Sequence, residues 1–354
     1  MPGAERGGPG AISGSLKGTG THLIHTSYKT LTMRRNRLIR WLIILFVLYA
    51  VVCSVGGIYL ADGTVHPGRR RLLEEEAAPL RAVFSQEGAT LSDVSVAAGD
   101  HQVLKGWLIR PAHANEDAVL VLHGLGDNRL GMSGYAQLLA AHGYAVLLPD
   151  ARGHGESSGD LATYGLLEQN DIHQWVDYLE AATHPRCVYG LGESMGAAEL
   201  LQSLNVEKRF CAVVAESSFS TFREIAYDRM GQPFGLGPWV GRIALRPMVE
   251  LAFLRVRWKY GLDMGGISPE GAVARSQTPV LLIHGKIDGN IPVRHSRAIH
   301  ERDPRTVLWE VPGADHCGAL AVAPEQFEKR ILESFTGSKA LTTGDTGGHG
   351  GKAE

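Results

Sequence analysis

A serine hydroxyl attacks an acyl carbon only when a base takes its proton and hydrogen-bond donors hold the oxyanion that forms. Residues 192–196 read Gly192, Glu193, Ser194, Met195 and Gly196. They follow the apolar run 186–191 and precede the helix-forming run 197–204. That context predicts a strand, a sharp turn and a helix, with Ser194 pushed out of the sheet at a helix N-terminus. So tight a turn needs residues without bulk on either side of its centre, and Gly192 and Gly196 meet that need. Other stretches could complete the chemistry. Residues 118–122 form a short apolar run that ends in His123, Gly124, Leu125 and Gly126, which reads as a buried strand opening into a Gly-rich loop. The N–H of Leu125 from that loop and the N–H of Met195 form the expected oxyanion hole. Residues 279–283 are another buried strand, and Asp288 stands in the loop after it. Residues 305–311 are a third, followed by His316.

The order Ser194, Asp288, His316, with Asp150, Arg152, Gly153, Gly155 and Ser157 in the loop 150–157, resembles the α/β-hydrolase superfamily. The resemblance runs from about residue 91 to residue 335. It is closest to single-domain serine hydrolases of the monoacylglycerol-lipase-like and prolyl-oligopeptidase-like type. It implies Ser194 as nucleophile, Asp288 as orienting acid and His316 as general base. There are two departures. Glu193 precedes the nucleophile where many relatives carry a histidine or a neutral residue. Cys317 follows the histidine, where a thiol has no evident chemical use.

Other candidates are weaker. His123 is expected to hydrogen-bond inside its own loop, His284 to pack at a strand end, and His154 to be structural or exposed in a Gly-rich turn. Asp315, next to His316, is badly placed to reach its ring, and Asp263 is a lesser acid candidate. The histidines are scattered without metal-ligand spacing, so neither a metal nor another cofactor is expected.

These residues need a frame. The expected fold class is α/β, an α/β-hydrolase fold with a mostly parallel sheet flanked by helices. It opens with a hairpin, 91–97 and 102–110, and carries a short helical lid at about 218–276. Aromatic residues such as Phe219, Phe222, Trp239, Phe253 and Trp258 lie in the lid, and most are expected to pack it onto the core. Its arginines, among them Arg242, Arg255 and Arg257, form a basic rim or a solvated face.

Residues 41–60 contain no charge, and at about 1.5 Å per residue they span roughly the 30 Å of a bilayer core. Arg34, Arg35, Arg37 and Arg40 precede them, which favours a cytoplasmic N-terminus and a catalytic domain on the other side. A cleaved signal peptide would have a shorter charged leader. The expected organisation is a disordered tail at 1–37, a single-pass signal anchor at 38–60, a tether at 61–79, one hydrolase domain at 80–335 and a disordered tail at 336–354. On that division, a chain starting near Pro79 keeps the whole domain. A formal net charge of -2 argues against general nucleic-acid binding. Cys187, Cys211 and Cys317 are an odd set in the domain, the first two lie in core strands, and no disulfide is expected. The expected partners are a small-molecule or lipid acyl substrate and a membrane; oligomeric state is open. The reading is hydrolysis of esters, lipids or thioesters through Ser194. The same machinery could cut peptides, and a non-catalytic binding or scaffold role is the alternative of another class.

Overall fold

The computed structural model describes residues 19–343 together with residues 7, 8 and 10. Parts of both expected tails, 1–6, 9, 11–18 and 344–354, lie outside the described residues. The chain divides into two units, Met1–Val55 and Gly56–Glu354.

From Thr19 onward the first unit is one helix, α1 (Thr19–Val65), whose last turns belong to the second unit. The tail expected through residue 37 is therefore helical from Thr19 onward. A long apolar helix supplies the nucleus, and extending it adds one backbone bond for each residue fixed. From Leu38 to Val55 the unit exposes large apolar side chains, Phe46 at 69% and Leu45 at 58%. Residues Thr32–Val65 are long and apolar enough to cross a membrane.

The second unit is built on eight strands: β1 (Thr90–Ala97), β2 (Val103–Arg110), β3 (Ala118–Leu122), β4 (Ala145–Pro149), β5 (Val188–Glu193), β6 (Phe210–Glu216), β7 (Val280–Gly285) and β8 (Val307–Val311). Their order across the sheet is β1-β2-β4-β3-β5-β6-β7-β8. The pairs β1–β2 and β2–β4 are antiparallel and the rest parallel, so the expected opening hairpin is present. Strands buried on both faces read as continuous apolar runs, as β3 and β7 do.

Helices cover both faces. They are α2 (Glu74–Gln86), α3 (Ser133–Ala141), α4 (Glu168–Thr183), α5 (Ser194–Ser203), α6 (Phe222–Gly231), α7 (Arg246–Tyr260), α8 (Pro269–Arg275), α9 (Arg294–Arg302), α10 (Ala319–Val322) and α11 (Pro324–Thr343). One core layer joins Phe84 of α2 and Phe327, Ile331 and Phe335 of α11 to the sheet. The other holds Trp175 of α4 with Leu200 and Leu201 of α5. Phe335 stacks on Tyr189 with ring centroids 4.2 Å apart. That anchor carries the last helix past the boundary expected at 336.

Two other expectations are corrected. Residues 61–79 are not a free tether. Ala61 and Val65 are buried beside Phe222 and Val256 of the lid. Lys259 Nζ donates to Asp62 Oδ1 at 2.9 Å, and Ala162 N donates to Val65 O at 3.0 Å. Arg69 donates to the carbonyls of Gly155 and Ser157, and Arg70 pairs with Asp127 at 2.9 Å. Ala77, Leu80 and Phe84 of α2 are buried, so the compact unit begins well before residue 80. The second correction concerns Cys187 and Cys211, which form a disulfide with Cα atoms 5.7 Å apart. Val188 pairs with Phe210 and Tyr189 with Ala212, which leaves Cys211 as the extra residue of a bulge. Strand register brings the two cysteines together, and sequence spacing does not reveal it.

A chain beginning at Leu80 loses the buried Ala61, Val65 and Ala77. Such apolar burial is worth roughly 1.5–3 kcal/mol for a Val-sized side chain. With Val65 and two alanines gone, it should melt about 10 °C below a chain beginning at Gly56. Equal melting temperatures in a calorimeter would restore the tether reading.

Candidate active site

Ser194 occupies the junction between β5 and α5 with φ at 52°, a conformation that costs a non-glycine residue about 1–3 kcal/mol. The surroundings enforce it. A Cβ on Gly192 would lie 2.6 Å from the carbonyl oxygen of Gly196, and a Cβ on Gly196 would lie 2.5 Å from that of Leu122. Only glycine at both places lets α5 start this close to β3 and β5.

The Ser194 hydroxyl lies 2.9 Å from Nε2 of His316, and Nδ1 of that ring lies 2.9 Å from Asp288 Oδ2. The carboxylate can only accept, so Nδ1 carries the ring proton and Nε2 is left to accept from the serine. Asp288 Oδ1 accepts from the N–H groups of Asn290 and Ile291 at 2.9 and 2.8 Å. Burial works against its charge, but hydrogen bonds from His284 and His316 and the backbone hold its carboxyl well below the usual range. Asp288 is therefore fixed as an anion.

The other histidines and acids have supporting places. His284 is buried, with Nε2 2.7 Å from the carbonyl of Ile291 and 3.3 Å from Asp288 Oδ2. It packs at a strand end as expected, and it also holds the Asp288 loop. Asp315 accepts from the N–H of Gly289 at 3.0 Å and of His316 at 2.8 Å, tying the two loops together. Asp263 sits before a short turn at Met264–Gly266 in the lid, where its carbonyl accepts from the N–H of Gly266 at 3.1 Å. His123 Nδ1 lies 2.8 Å from the Gly124 carbonyl, and its Nε2 accepts from Ala151 N at 3.0 Å, so the ring is neutral and braces the loop. Burial, with His154 beside it, pushes its pKa down. His154 is buried edge-on against it.

Leu125 and Met195 line the same cavity as Ser194 and His316. Met195 lies in the first turn of α5, where backbone N–H groups have no intrahelical acceptor. The cavity has a volume of about 390 Å³. Phe219, Phe222, Phe253 and Val256 of the lid form much of its wall, and Leu60, Ala61 and Thr64 of α1 complete it. Lid aromatics thus both pack and line. Trp239 and Trp258, at 54% and 77% exposure, do neither.

The Glu193 environment was not legible from the motif. Glu193 and Glu216 are paired neighbours on β5 and β6. Tyr135 OH lies 2.9 Å from Glu216 Oε2 and 3.3 Å from Glu193 Oε2, and Ala319 N donates to Glu216 Oε1 at 2.9 Å. Burial and then Glu216 push the Glu193 carboxyl up to about 7. Burial, Glu193 and Glu216 push the Cys317 thiol up, which keeps it protonated and unreactive.

The alpha/beta hydrolase family is matched over residues 119–330, and the chain belongs to it. YqkD of Bacillus subtilis, an uncharacterized protein, is 28% identical over 65% of this chain and 74% of its own. The uncharacterized peptidase YuxL of the same organism is 25% identical over 68% of this chain but only 37% of its own. The esterase Pf2001 of Pyrococcus furiosus superposes with a TM-score of 0.61 at 24% identity, covering 77% of this chain and 98% of that one. That likeness is one of fold.

The raised Glu193 carboxyl makes stability depend on pH. Below its ordinary value of 4.5, folded and unfolded chains both hold the proton. From there to about 7 the folded chain keeps a proton that the unfolded chain has released, so stability falls as pH rises through this window. The full loss is on the order of 3 kcal/mol. Glu193→Gln should flatten that fall in thermal melts of the full chain between about pH 4.5 and 8. An unchanged slope would show that Glu193 ionises freely.

Proposed function

We propose that this chain is a membrane-anchored serine hydrolase that cleaves carboxylic esters of apolar acyl groups, thioesters included. The observation that carries the proposal is the continuous Ser194–His316–Asp288 hydrogen-bond chain opening on an apolar cavity. His316 Nε2 takes the Ser194 proton as Oγ attacks the acyl carbon. The carbonyl electrons move to oxygen, where the N–H groups of Leu125 and Met195 hold the charge. Collapse expels the alcohol, which leaves with the proton from His316. Water then repeats the sequence on the acyl-enzyme and frees the acid. Asp288 keeps the ring in the right tautomer and stabilises the imidazolium.

Amide cleavage would use the same steps, and YuxL carries a peptidase name. The wall of Phe219, Phe222, Phe253 and Val256 offers an acyl chain apolar contact and a peptide backbone few partners, which favours the ester reading. The intact hydrogen-bond chain favours catalysis over a binding-only role. In the same reading α1 is a single-pass anchor with the hydrolase unit on the non-cytoplasmic side. Arg34, Arg35, Arg37 and Arg40 before the span support that orientation, and so does the Cys187–Cys211 disulfide, since such bonds persist in oxidising compartments.

With a medium-chain glycerol ester, Ser194→Ala should lower kcat by roughly 10⁶-fold while the melting temperature holds. Asp288→Asn should cost on the order of 10⁴ with the fold intact. A mild Asp288→Asn beside a crippling Asp263→Asn would reassign the acid. Full turnover by Ser194→Ala would remove the mechanism.

A further inference from the structure

Apart from His316, three charged residues line the cavity: Asp127, Glu193 and Arg229. Asp127 is paired with Arg70 at 2.9 Å, and Glu193 faces Tyr135. Arg229, in the last turn of α6, differs. Among the described residues its guanidinium makes no ion pair with a carboxylate; its hydrogen bond goes to the Gln232 side chain at 3.2 Å. The nearby acids are engaged elsewhere. Asp228 is held by Arg294 at 2.5 Å and His295 at 2.9 Å, and Asp288 by His316 and His284. Tyr164 donates its hydroxyl to the Thr64 carbonyl at 2.9 Å. Gln232 also donates to the carbonyl of Asn290, another cavity residue and two positions from Asp288. Arg229 therefore sits toward the Asp288 side of the cavity. The residue as a whole is exposed, and the neighbouring lid and cavity atoms that partly desolvate its guanidinium draw its pKa below the usual value.

Arg229 lines an apolar cavity, is open to solvent and among the described residues has no carboxylate partner, so its N–H donors are available to an anion that enters. We propose that Arg229 is a specificity residue that binds an anionic oxygen of the substrate, so that the preferred substrates are acyl esters carrying a phosphate or a carboxylate. The proposal rests on Ser194 acting as the nucleophile in this cavity. A guanidinium presents paired N–H donors to either anion, so both sources share the chemistry. The anion could lie on the leaving group or at the far end of the acyl chain.

Three esters of equal chain length separate the sources: 1-dodecanoylglycerol, its 3-phosphate, and the glycerol monoester of dodecanedioic acid. The full-length wild-type chain in neutral detergent should favour one of the two anionic esters over the neutral one. Arg229→Gln should lower kcat/KM for that ester by about 10- to 100-fold, mostly through KM, and at least tenfold more than for the neutral ester. Arg229→Lys should recover part of the loss. Equal losses on all three esters, or a wild-type preference for the neutral ester, would overturn the assignment. A binding measurement separates this idea from the hydrolysis reading. In the Ser194→Ala chain, the non-hydrolysable 1-O-dodecylglycerol 3-phosphate, or 12-hydroxydodecanoate for the acyl-end source, should bind more tightly than 1-O-dodecylglycerol. Adding Arg229→Gln should abolish the difference. If neither anion binds better than the neutral ether, Arg229 has no such role, whether or not the chain hydrolyses esters.

Discussion

The site depends on how closely α5 approaches β3 and β5. Gly192 and Gly196 face backbone atoms at distances where any added Cβ would collide, 2.6 and 2.5 Å. That approach forces Ser194 to φ 52° and holds its hydroxyl clear of the sheet. The strain is tolerated because buried strands flank the turn on both sides: β3 pairs with β5, and β5 with β6. The register of β5 on β6 places Glu193 beside Glu216, so a crowded acid pair adjoins Ser194 in the chain. Asp288 and His316 then need only reach the edge of parallel strands, where loops after β7 and β8 deliver them. Their own alignment comes from Asp315 and His284, which bond to the backbone of those loops.

The second constraint is the end of α1. Ala61 and Val65 pack against the lid, and Leu60, Ala61 and Thr64 form part of the cavity wall. The stretch that continues the membrane-sized apolar segment is thus part of the cavity wall rather than a spacer. These contacts lie within one compact unit. The end of α1 also gives the lid a fixed neighbour, since a Cβ on Gly57 would lie 2.9 Å from the Met248 carbonyl of α7.

Local patterns were legible in the sequence, and cross-strand relations were not. The elbow, the order Ser194, Asp288, His316 and the Gly-rich loop at Leu125 are written in short runs whose residue types have one good use. The parallel sheet follows from apolar runs without alternation. The Cys187–Cys211 bond depends on a bulge that shifts register by one residue, which composition cannot show. The Tyr135–Glu193–Glu216 cluster joins residues from α3, β5 and β6 that no motif links. The docking of residues 61–79 was hidden because charge blocks there resemble a solvated linker. In the fold, Asp62 and Arg70 each meet an opposite charge from another element. Arg229 lies in no sequence motif, and only what its neighbours are already bonded to distinguishes it from the other lid arginines.

The central claim is that Ser194 is the residue that takes the acyl group. The most direct measurement labels the full chain with a fluorophosphonate and locates the adduct by peptide mass spectrometry. The account predicts a single modified residue, Ser194, with labelling blocked when His316 is replaced by alanine. An adduct on any other residue, or labelling that proceeds at full rate without His316, would contradict it.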